Sequence, residues 1–144
     1  MTAHRIDALG SGVAALVARI DTGQVSRAGL MLTVTALDAA TVPTDGVITA
    51  VLTDWRAYRP ISATHRLSIG SLRARLDGLA FSAVHAGRTA EYRAEFGRAR
   101  AVAALEFGIA GEGRNGLREL VCEACAATGS TVLVANVLRD HIGG

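Results

Sequence analysis

The chain has 144 residues, of which 50% are hydrophobic and 19% charged; that length fits one domain with a real core, and that composition excludes disorder. A formal charge of +2 and a pI of 8.9 are too slight a bias to be the electrostatic footprint of a nucleic-acid binder, and the longest uninterrupted apolar run near the C-terminus, Val132 to Ala135, is far too short to span a bilayer. The opening MTAHRIDALGSG has early charges and no apolar h-region, and two cysteines make no disulfide framework, so the expected setting is the cytoplasm, away from membrane and nucleic acid.

Ile6, Leu9, Val13, Leu16, Val17 and Ile20 recur at helical spacing, which predicts an amphipathic helix from Thr2 to about Arg19 with Thr2 as its N-cap. Gly10 and Gly12 each weaken it by roughly 1 kcal/mol against alanine. Either the chain packs closely there or the helix breaks. A turn at Asp21, Thr22 and Gly23 follows. From Ala28 to Leu37 the residues Leu30, Leu32, Val34 and Ala36 alternate with Met31, Thr33 and Thr35, which predicts a strand.

Thr44 to Tyr58 places Val47, Ile48, Val51, Leu52, Trp55 and Tyr58 on a helical stripe, with Thr44 or Asp45 to cap it and Pro60 to stop it. At 100° per residue Asp54 falls about 20° outside Val47, at the edge of the apolar face. From Arg66 the period changes to two. Leu72, Ala74 and Leu76 alternate with Arg73 and Arg75, Asp77-Gly78 signals a hairpin, Ala86-Gly87 and Gly97-Arg98 signal further turns, and Leu67 and Ile69 fall out of phase as if at a bulge near Gly70. Four antiparallel strands over Arg66 to Ile109 are expected, with Glu95 opposite Arg100. Gly111 to Gly116 reads as a loop and Leu117 to Gly129 as a short helix; Thr131 to Leu138 is either a last strand or the start of a helix reaching His141.

The segment DGVITAVLTD resembles the HGG-x-x-x-x-x-x-D stretch of hotdog-fold acyl-CoA thioesterases of the phenylacetate-pathway type, and VHAGRTAEYRAEF with ARAVAALEFGI resembles their last hairpin. The resemblance implies an α+β fold in which an antiparallel sheet wraps a central apolar helix, with N-terminal and C-terminal flanking helices. It further implies a homodimer or higher homo-oligomer that binds an acyl thioester at the subunit interface, without a metal or other cofactor. Asp54 would be the general base or nucleophile and the Gly46 N–H the oxyanion donor, since a helix N-terminus polarises a carbonyl oxygen and a carboxylate activates water. Asp45, Arg56, Arg59 and His85 would meet the substrate. Asp45 stands where the family often has histidine, and Val47 where it has a second glycine. The competing expectation is a non-catalytic structural, assembly or regulatory protein, in which Asp45 only caps a helix and Asp54 is a solvated acid.

Three further features have bland readings beside sharper ones. GEGRNG, Gly111 to Gly116, matches a nucleotide-binding pattern that requires a parallel strand before it, and otherwise is a loop. Cys122 and Cys125 form C-x-x-C, which suits redox or zinc chemistry only with further partners and otherwise packs in a helix. Arg56, Arg59, Arg66, Arg73 and Arg75 would meet phosphates as a cluster and otherwise form a solvated surface.

Overall fold

The computed structural model describes residues 4–143, and every regular element among them is helical. A 3-10 turn at Arg5–Ala8 leads to α1 (Val13–Arg19), a second turn at Thr22–Gln24 to α2 (Val25–Ala39), and then come α3 (Gly46–Arg56), α4 (Ala63–His85), α5 (Thr89–Ile109), α6 (Gly113–Thr128) and α7 (Thr131–Arg139). The expected α+β architecture is thereby overturned: no strand occurs among the described residues, so there is no sheet to wrap a helix.

The N-terminal helix breaks where its glycines stand. Ser11 and Gly12 both have left-handed backbone, with φ of 60° and 66°, which no helix continues through; the proposed cap Thr2 lies outside the described residues. The predicted strand Ala28 to Leu37 is the middle of α2, because the positions that are buried are Ala28, Leu32 and Ala36 together with Gly29, Thr33 and Leu37, a period of four and not of two. Thr44 to Tyr58 is a helix as read, over Gly46–Arg56, with Ile48, Val51 and Leu52 buried. It ends when Tyr58 turns left-handed at φ 56° and the Arg59 N–H donates back to the Asp54 carbonyl at 2.8 Å, two residues before Pro60.

The four expected strands are two long antiparallel helices, α4 and α5, and of their three expected turns only Ala86-Gly87 is one. Ser62 caps α4 by accepting from the His65 N–H at 3.1 Å. The glycines taken for hairpin and bulge signals lie inside these helices. Gly70 faces the Glu106 carboxylate, which a Cβ would crowd, whereas a Cβ at Gly97 would make only ordinary contact with the Ala127 carbonyl. Glu95 pairs along its own helix with Arg98 at 2.9 Å instead of with Arg100. Thr131 to Leu138 resolves as helix α7, capped by Ser130, and ends before His141.

The central helix is α5, not α3. It packs against α4, α6 and α2, and Ala101, Val102, Ala103, Ala104 and Leu105 are all buried in succession, as happens to a helix with neighbours on every side. Alanine at three of those five positions keeps its girth small. The buried core is aliphatic apart from Cys122 and Cys125 and includes none of the six aromatic residues. No helix among the described residues is long and apolar enough to cross a membrane.

Candidate functional site

The residues singled out for thioester chemistry do not converge. Gly46 and Asp54 are two turns apart on one helix, roughly 12 Å along its axis at 1.5 Å per residue, too far for both to act on one carbonyl. Asp45 is exposed at the N-cap position of α3 and makes no side-chain cap bond. Asp54 accepts from Arg59 Nε at 3.0 Å in a surface ion pair, and Arg56 is exposed beside it. His85 ends α4, with its ring 4.3 Å from that of Phe81. The end of α4 near α3 is marked by Leu67, which lines a shallow groove with Val47; His85 is eighteen residues beyond, about 27 Å.

What the fold does bring together is a chain of charges between the N-terminal turn, α4, α5 and α6. Arg5 Nη2 lies 2.7 Å from Glu119 and 2.8 Å from Glu123. Arg100 takes the other oxygen of Glu123 at 2.8 Å and Asp77 at 2.7 Å. Arg73 continues it, reaching Asp77 at 3.4 Å and Glu106 at 2.9 Å. Glu123 is only 4% exposed, and two guanidinium groups compensate its charge. Burial disfavours the charged form of Arg5, but hydrogen bonds to Glu123 and Glu119 outweigh it and hold its pKa above the ordinary arginine value. For Arg73 the hydrogen bond to Glu106 leads and acts in the same direction. The network joins residues up to 118 positions apart; only Arg73 and Asp77, at i and i+4, left a local trace in the sequence. Its inner members line a cavity of about 400 Å³ with Phe107 and Glu112.

On the other side of Phe107 and Glu112 lies a second cavity, about 290 Å³ and mostly apolar, between α2, α3, α5 and α6. Trp55 forms one wall. Its indole N–H donates to Ser26 Oγ at 2.9 Å, and its ring lies across Gly29 and Gly108, where a Cβ on Gly108 would overlap it. Two glycines from segments expected to be strands thus form the seat of a tryptophan. The GEGRNG stretch borders this cavity but follows a helix, so the nucleotide-binding reading has no strand to rest on.

Cys122 and Cys125 are buried within α6 and unbonded to each other. Burial raises both thiols, Cys122 against the opposing pull of Arg5 and Cys125 to about 11. A thiol so shifted is a poor nucleophile at neutral pH. Among the described residues no group of three or more histidine, cysteine, aspartate or glutamate side chains is placed to hold a metal.

No family model, curated protein or solved structure matches the chain significantly. The hotdog thioesterase resemblance is therefore corrected on two counts, since neither a sheet nor a related family supports it, and with it goes the argument for acyl-CoA as ligand.

The remaining feature was invisible in the sequence reading. On α4 the positions Leu67, Ser71, Ala74, Gly78, Phe81 and His85 follow one another at steps of four, three, four, three and four, and all six are exposed. Leu67 is 73% and Phe81 63% exposed, and Leu79, Val84 and, on α5, Phe96 add further outward apolar surface. The core of the molecule faces the opposite side of α4, through Ile69, Leu76, Ala80 and Ala83.

Proposed function

We propose that the chain is a non-catalytic assembly protein that pairs with a second copy of itself along the outward face of α4. The observation that carries this reading is the exposed 4-3 repeat from Leu67 to His85, because that spacing is the seam of two helices supercoiled about each other. The seam is complementary to itself. Its centre is small (Ser71, Ala74, Gly78) and its flanks are bulky (Leu67, Phe81), so an antiparallel copy sets Phe81 over Ser71 on both sides of a two-fold axis, with Ala74 over Gly78 letting the helices approach at the centre and Leu67 over His85 at the ends. Four of the nine exposed large apolar side chains, Leu67, Leu79, Phe81 and Val84, lie on α4, Leu67 and Phe81 on the seam and the other two to either side of it, and exposed apolar surface gathered on one helix is a feature of contact surfaces.

The acids and bases in the interior support the same reading, since those that meet are paired as ions across helices and hold the frame that presents α4. The measurement that tests it is mass in solution, by light scattering and sedimentation across a concentration series. A dimer is expected, and Phe81→Glu or Leu67→Glu should return a monomer with unchanged helical dichroism and a melting temperature that no longer rises with concentration. A wild-type chain that remains monomeric at hundreds of micromolar would remove the proposal.

A further inference from the structure

We infer that the cavity beside Trp55 is a binding site for a small hydrophobic amine, with the apolar body against the indole and the ammonium at Glu112. The inference is independent of self-association, which uses the far face of α4.

The walls set the body of the ligand. Val25, Trp55, Phe107, Leu117 and Leu120 line the cavity, and glycine at positions 29 and 108 keeps the floor flat where the indole lies on it. A void of 150 Å³ lined by aliphatic and aromatic groups accommodates benzene, so about 290 Å³ holds one ring and a short arm but not a long acyl chain. Sites of this form are mostly apolar, with a few polar groups that fix orientation.

The single charge sets the head group. Among the described residues Glu112 is the only ionisable one lining this cavity; it is exposed at the N-cap of α6 and its carboxylate has no hydrogen-bond or ion-pair partner among them, whereas Glu106, Glu119 and Glu123 are each taken by an arginine. No arginine among the described residues borders the cavity, and the full charge of Glu112 outweighs the partial positive charge of the α6 N-terminus beside it. Phe107 adjoins Glu112 in both cavities, and the guanidinium of Arg5 already lies over its ring at 6.0 Å, an arrangement that shows a cation is accommodated at that aromatic. An ammonium placed at Glu112 therefore finds a charge to pair with and a ring beside it, while a neutral head group finds neither.

Trp55 is the only tryptophan in the chain and also borders grooves toward Pro60 and toward Met31 and Asp140, so its emission reports binding and the Glu112→Gln comparison assigns that binding to this cavity. Phenethylamine, phenethyl alcohol and 3-phenylpropanoate share a ring and an arm and differ in charge, and each is titrated against wild type and Glu112→Gln. Phenethylamine is expected to shift the emission saturably and to bind about tenfold or more tightly than the alcohol, the scale of one charge-assisted hydrogen bond. The propanoate should bind worst. In Glu112→Gln the amine should fall to the affinity of the alcohol, whose own binding is unchanged. The inference is overturned if the alcohol or propanoate binds wild type as tightly as the amine, if Glu112→Gln leaves the amine unaffected, or if no probe shifts the emission at millimolar concentration. Glu112 is exposed at the N-cap of α6, so Glu112→Gln is expected to keep the wild-type helical dichroism, and an amine that binds that folded variant as tightly as wild type overturns the inference.

Discussion

Toward α6, the hairpin of α4 and α5 buries Ala101 to Leu105 and ties Arg73, Asp77 and Arg100 to acids and bases on other elements. Toward its own turn, the same two helices expose Phe81, Val84 and Phe96 and pair charges only along one helix, as Arg88 with Glu91 and Arg98 with Glu95. The covered half is specified by long-range partners, so a change there is felt by three helices. The projecting half is specified by helix propensity and its turn, and its side chains are available for contacts outside the chain.

The largest way to break that contrast is Glu123→Gln. Removing a buried charge that compensates Arg5 and Arg100 is expected to cost about 3 kcal/mol in urea denaturation. In the projecting half the matching change, Glu91→Gln, removes a surface pair and should cost less than about 0.5 kcal/mol; equal losses would show that the two halves are not differently built. Next is Gly108→Ala, where the added methyl displaces Trp55 from its seat, at about 1–3 kcal/mol. Gly78→Ala is smaller than Gly108→Ala and opposite in sign. Nothing lies within 4 Å of a Cβ there, so the helix should gain about 0.5–1 kcal/mol, while a seam centred on small residues should associate more weakly. A Gly78→Ala chain that gains in melting temperature and pairs as tightly as wild type would place the contact elsewhere.

The helix at Gly46–Arg56 was legible because its buried positions follow a single helical stripe and an acid and a proline bracket it. The hairpin was not, and the reason lies in the same residues that make its surface interesting. Leu67, Leu79, Phe81 and Val84 put apolar side chains on the solvent side of α4, which erases the polar face a helical reading needs and leaves Leu72, Ala74 and Leu76 to imitate a strand. A glycine compounded the error: Gly70, taken for a bulge, stands inside α4 against the Glu106 carboxylate of α5, a role that local sequence cannot distinguish from a turn. Of the candidate sites, the ion network was out of reach because its members meet only through tertiary packing, and Trp55 was seen only as one more position on a stripe. Departures from local rules gathered where the molecule has surface to use.

The aliphatic core has a practical consequence for anyone who melts this protein. Absorption and fluorescence in the near ultraviolet arise from aromatic rings, and here those rings sit on the Trp55 seam, the far side of α4 and the hairpin end. An optical transition followed at those wavelengths registers the undocking of α3 or a change at the hairpin, while helical dichroism registers α2, α5 and α6. Curves that superimpose would show the chain melting as one unit, and curves that do not would mark a populated state in which α3 or the hairpin is loose and the inner helices persist.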